Sequence, residues 1–142
     1  MPEPADVVVR LHEAVQARDW GAARVLLHPT LRCEWPHSAE ELHGADAWVD
    51  LQRTYPEGWS LRVLGTVAEG DDVAAQVEVV HGDHVFHCAS FAVVRDGLVR
   101  RLTEYWTELG GEPPPGWRAG RYARLAAVSG PGRLEPEERA QN

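Results

Sequence analysis

The sequence contains no lysine: its positive charge rests on 14 basic residues, all arginine, against 22 acidic ones, for a formal net charge of −8. That balance works against phosphate backbones, because nonspecific nucleic-acid affinity comes mainly from lysine and arginine neutralising phosphates. No nucleic-acid partner is expected. Cysteine is equally scarce: Cys33 and Cys88 are too few for a disulfide scaffold and lack C-x-x-C spacing, so both read as small buried apolar side chains. No stretch approaches the roughly 18 uninterrupted apolar residues of a membrane span. The opening MPEPADVVVRLHEAV has no basic region ahead of an apolar one, and its first hydrophobic run is broken by Arg10, His12 and Glu13. The chain reads as soluble and cytoplasmic, without a membrane partner. Glycine-rich phosphate loops and ligand-like metal spacing are both missing, so no cofactor and no metal are expected.

What is present fits one domain of ordinary size, since 142 residues bury one core but not two. Asp6 is placed to cap a first helix in which Val8, Leu11 and Val15 recur at helical spacing. Asp19 is placed to cap a second, ending before His28-Pro29. LRCEWP then alternates as a short strand with Leu31, Cys33 and Trp35 on one face, and a third helix runs from about Gly44 to Thr54. From Trp59 the period drops to 2: Trp59, Leu61, Val63 and Val67 share one face, as do Val73, Ala75, Val77 and Val79 after the EGDD turn. His-Gly-Asp-His and Asp96-Gly97 mark two further hairpins, giving four long antiparallel strands in a meander. The terminal AVSGPGRLEPEERAQN is too poor in apolar side chains to offset its ordering entropy. The division expected is therefore a domain over 1–125 and a mobile tail over 126–142.

Helix, helix, short strand, helix and four long strands is an order that resembles the nuclear-transport-factor-2-like superfamily. The strings ARDWGAARVLLHPTLRCEWP, HGADAWVDL and RDGLVRRLTEYW are similar to its helix-to-strand passage, its glycine-led third helix and its last hairpin. PPPGWRAGRY resembles a tail common in bacterial SnoaL-like proteins. The resemblance covers about residues 6–122. It implies an α+β cone with three N-terminal helices packed on a strongly curved antiparallel sheet. It does not fix a reaction, because isomerases, epoxide hydrolases, polyketide cyclases and noncatalytic binding modules share the scaffold. Matching strings by position puts Leu11, Trp35 and Ala89 where ketosteroid isomerases carry a tyrosine and two aspartates. Thr107 falls where cyclases and epoxide hydrolases carry an acid.

The chemistry-bearing residues that remain are few. Trp35, Tyr55, Trp59, Tyr105 and Trp106 cluster in segments expected around the open end of the cone, and they suggest an aromatic-lined pocket for an apolar ligand. Trp48, on a helical stripe, reads as packing. His37, just past the first strand, is expected at the pocket mouth, either as a proton shuttle or as a solvated loop histidine. Glu104, among aromatic residues, is the best acidic candidate, with an ordinary salt bridge to Arg100 or Arg101 as the competing account. His81, His84 and His87 form H-x-x-H-x-x-H, but residues three apart on a strand face opposite ways, so a hairpin tip is the better account. His87, deeper on the strand, is expected to reach the pocket. Two functional readings stay open: a protein that binds a small hydrophobic molecule and uses His37 or Glu104 for general acid/base chemistry, and a noncatalytic binding or dimerisation module. A homodimer is expected in both, because the outer face of an open sheet needs cover.

Overall fold

Proline opens the first helix. In the computed structural model, which describes residues 1–131 and 136–140, α1 spans Pro4–Gln16 and has Glu3 at its N-cap without a side-chain cap bond. Asp6 is not the cap. The fixed φ of Pro4 is already helical and its missing N–H is not needed there, so the helix starts earlier and Asp6 lies in the first turn, where its charge favours the positive end of the helix. Asp19 does cap the five-residue α2 (Trp20–Arg24), its Oδ1 accepting the Ala22 N–H at 3.0 Å. This helix stops short of His28-Pro29 because β1 already begins at Leu27, paired with Val99.

β1 (Leu27–Trp35) is followed by a short strand absent from the sequence reading, β2 (Glu40–His43), and by α3 (Ala45–Thr54), which Gly44 enters with φ 98°. Four long strands then form the meander: β3 (Trp59–Glu69), β4 (Asp72–His81), β5 (His84–Arg95) and β6 (Leu98–Glu108). The sheet order is β2-β1-β6-β5-β4-β3. It is mixed rather than wholly antiparallel, because β1 lies parallel to β6. The α+β architecture expected is the one found. A short fourth helix, α4 (Pro136–Ala140), adds to the three N-terminal ones.

Alternation assigns every strand side chain to the helix-covered concave face or to the convex one. The concave face and the inner stripe of α1 form the core, with Val7, Leu11, Leu31, Val99 and Leu102 fully buried. One phase change revises the sequence reading. The β3–β4 register slips between Val63 and Gly65, so Leu64 is an extra residue, and Val67 beyond it turns outward to 61% exposure instead of continuing the inner row. Gly130 and Pro131 lie against this bulge: a Cβ built on Gly65 would come within 2.5 Å of Pro131 Cγ. The tail expected over 126–142 includes residues 132–135 and 141–142, which lie outside the described residues. No described helix is long and apolar enough to cross a membrane.

Because Leu102 joins the β6 core row to α1 and β1, Leu102→Ala should cost about 2–5 kcal/mol in chemical denaturation. The exposed Leu125→Ala should stay within about 0.5 kcal/mol. Equal losses in the two would mean that the core has been misplaced.

Candidate active site

Between α1, α3 and the concave sheet lies a cavity of about 610 Å³, within the 300–1,000 Å³ typical of small-molecule sites. Its walls are mostly apolar: Val15, Trp48, Leu51, Leu61, Val77 and Val79 face it. Polar groups sit in two places. Glu104 and His12 form the inner floor, while His37, Ser38, Gln52 and Tyr55 ring the mouth.

Glu104 is placed by strand pairing. β6 alternation turns Glu104 and Trp106 inward, and the β1–β6 register (Cys33 with Leu102, Glu34 with Thr103) brings the end of β1 alongside. Trp35 Nε1–H then donates to Glu104 Oε1 at 2.9 Å, and Cys33 Sγ–H donates to the same oxygen at 3.3 Å. Glu104 is only 5% exposed, and these two donors replace water that its carboxyl has lost. Among the described residues no arginine forms an ion pair with it: Arg100 turns to Asp96, and the competing salt-bridge account finds no support there. Burial, then the neighbouring Glu104 charge, push both the Cys33 and Cys88 thiols above their ordinary value, so both stay neutral and unreactive.

His12 completes the floor, and the sequence reading passed over it. It sits at i+4 from Val8 and i−3 from Val15, inside the apolar stripe of α1, and is 6% exposed. Its Nδ1 lies 2.8 Å from the Val8 carbonyl oxygen. A carbonyl only accepts, so Nδ1 carries the proton. Burial lowers the affinity of the ring for a second proton; the Val8 bond and the Glu104 charge act the other way without reversing it.

The mouth is braced from outside the cavity. Arg18 stacks over Trp59, 3.4 Å from the ring centroid, and grips Glu57 with two bonds of 3.1 and 2.8 Å. His81 meets the Tyr55 hydroxyl at 3.1 Å and donates to the Glu57 carbonyl at 3.2 Å. Together they hold the Tyr55–Gly58 turn over the opening.

Trp35, Tyr55, Trp59, Trp106, His37 and Glu104 thus all line one cavity, with His37 exposed at its mouth. His87 and Tyr105 do not, and the expectation for those two is corrected. Tyr105 lies between two inward-facing residues and so points to the convex side, edge-on to Phe91. His87, paired with Thr107, lies on the same side and meets Glu78 at 3.1 Å, whose other oxygen takes Arg62 at 2.9 Å. Burial alone would raise the Glu78 carboxyl; the bonds from Arg62 and His87 outweigh it and hold the group below its ordinary value. The three hairpin histidines have separate partners, His84 taking Glu108 at 2.5 Å. Among the described residues no three His, Cys, Asp or Glu side chains are grouped to hold a metal.

The family profile described as "SnoaL-like domain" matches residues 8–102. The chain belongs to the SnoaL-like domain family. Among solved structures, this SnoaL-like domain is similar to a candidate ketosteroid isomerase from Kribbella flavida, with 30% identity, TM-score 0.79, and coverage of 89% of this chain and 93% of that one. It shares its fold with an LEH-like epoxide hydrolase of M. tuberculosis (18% identity, TM-score 0.63, 73% and 82% covered). A candidate SnoaL-like polyketide cyclase from Jannaschia is comparable (17%, 0.63, 72% and 84%). No curated protein matches the chain.

The buried neutral imidazole gives a pH prediction. Unfolding releases His12 to its ordinary value near 6.5, so below that pH the unfolded chain takes up a proton that the folded one resists. Stability therefore falls as pH drops through 6.5, by at most about 1.4 kcal/mol per pH unit for this one group. His12→Gln should show a shallower loss between pH 7 and 5 in denaturation curves. An unchanged slope would mean that His12 is not held neutral.

Proposed function

We propose that this SnoaL-like domain binds a small, uncharged hydrophobic molecule in the aromatic-lined cavity and carries out general acid/base chemistry on it at the Glu104 floor. The observation that carries the reading is the placement of one buried, hydrogen-bonded carboxylate at the inner floor of a mostly apolar cavity. Aromatic and aliphatic walls supply affinity by burial, and a carboxylate kept from water acts strongly on charge that develops beside it. His37, exposed at the mouth, serves to exchange protons with solvent. Neighbours named as an isomerase, a cyclase and an epoxide hydrolase are consistent with proton-transfer chemistry on such molecules.

Four departures from family positions favour the noncatalytic alternative. Leu11 is core, Trp35 is a hydrogen-bond donor to Glu104, and Ala89 and Thr107 belong to the outward rows of β5 and β6. A panel of uncharged cyclic ketones, epoxides and terpenoids, screened by tryptophan fluorescence and assayed for conversion, separates the two. The enzyme reading expects a compound that is bound and converted, with Glu104→Gln retaining binding while losing turnover about 100-fold or more, and His37→Ala losing less. Binding without conversion of any bound compound would leave a binding module.

The protein is further proposed to work in the cytoplasm as a homodimer paired through the convex face. Val67, Phe91 and Tyr105 are 61%, 51% and 45% exposed there, and a shallow groove of about 310 Å³ runs beside Phe91. Light scattering should report a dimer for the wild type and a monomer for Phe91→Arg. A wild-type monomer at micromolar concentration would end this part of the proposal.

A further inference from the structure

We propose that His12 is the catalytic base of this site, that its Nε2 is the proton-accepting atom, and that Glu104 serves as the counter-charge. The assignment rests on the reading of the cavity given above and divides the labour within it.

Three observations lead to it. The Val8 carbonyl takes the Nδ1 proton at 2.8 Å, which leaves Nε2 with a lone pair and fixes the tautomer from the helix backbone itself. The ring lines the cavity, and no hydrogen bond within the protein engages Nε2 among the described residues. Glu104, by contrast, has its Oε1 committed to two donors, Trp35 and Cys33. Those two bonds hold it in place, and its charge favours the imidazolium. A neutral base beside a fixed negative charge is suited to an uncharged substrate, because the cation formed on the base is stabilised while the resting site carries no unpaired positive charge. His37 also lines the cavity but is exposed at its mouth, where water competes for its ring.

The step balances without a co-reactant. A polarised C–H bond of the substrate breaks; its proton bonds to the Nε2 lone pair, and the electron pair stays on the substrate, delocalised onto its carbonyl oxygen. The imidazolium then returns the proton to a second carbon. An isomer leaves and His12 is neutral again.

Two measurements test it. In the wild type at pH 7, long-range proton–nitrogen correlation of histidine-labelled protein, assigned through the His12 backbone, should show Nδ1 protonated and Nε2 bare. A protonated Nε2 overturns the assignment whatever the protein binds. β,γ-Unsaturated cyclic ketones, whose shift to the conjugated isomer is followed by absorbance, supply the second. His12→Gln should lower kcat at least 100-fold, the lower end of what acid/base catalysis contributes, with KM within threefold, and His12→Asn should do the same. Turnover within threefold of the wild type, with Glu104→Gln inactive, would make Glu104 the base and overturn the proposal while leaving the cavity reading intact. A wild type that neither binds nor converts any compound of either panel would sink the cavity reading and this assignment's catalytic step, separately from the tautomer result.

Discussion

The parallel ladder between β1 and β6 is the constraint on which the site depends. It is the one pairing in the sheet not made by a hairpin, so it forms only after the chain has run through β2, α3 and three long strands. It also places Trp35 and Cys33, from early in the sequence, beside Glu104, from its far end. The carboxyl of a glutamate that is 5% exposed would, without those donors, carry a desolvation penalty of several kcal/mol. With them, burial becomes tolerable, and the group is fixed in position as well as charge. The polar floor is therefore a product of topology: loosening the β1–β6 register by one residue would replace Trp35 with a side chain facing the other way.

The same alternation separates two chemistries on one sheet. On the concave face, α1 and α3 exclude water and the polar groups are few. On the convex face, Arg62, Glu78 and His87 form a compact cluster across three strands, next to rows of small and aromatic residues ending in Phe91 and Tyr105. The extra residue at Leu64 shifts the phase of β3 within this arrangement. It exposes Val67 and, with Gly65 lacking a Cβ, lets Pro131 approach the backbone. One inserted residue thus alters the outer surface at Val67 and accompanies the close approach of Pro131 to Gly65.

The sequence showed the hairpins because Gly and Asp at turns between period-2 runs have few other uses, and it showed Asp19 because its side chain completes a cap. Trp35, Trp59 and Trp106 could be assigned to a cavity from residue type and strand phase. Tyr105 could not have joined Trp106 there, since neighbours on a strand face apart; the aromatic cluster outweighed the period in that expectation. His87 was drawn in by depth along the strand when its face was the deciding variable. His12 went unnoticed for a different reason. The positions 8, 11, 12 and 15 are a complete helical stripe, but a histidine within it reads as a break in hydrophobicity until the stripe is seen to face Glu104. β2 is too short and too polar, EELH, to register as a strand without its partner β1.

Strand phase also explains how such a scaffold can change its chemistry. The position matched by sequence to the family's acid is Thr107, which pairs with His87 on the convex side and has no access to the cavity. Moving a carboxylate along β6 by one residue takes it out of the site; moving it by two keeps it on the same face. Glu104, Trp106 and Glu108 share that phase, and Glu108 is occupied at the strand end by His84. The deepest position that can hold an acid against the floor is then 104, the place where β1 supplies donors and α1 supplies an imidazole. The missing acid at 107 therefore does not empty the floor of polar groups. It leaves one in which β1 supplies two donors to the Glu104 carboxyl and α1 supplies an imidazole.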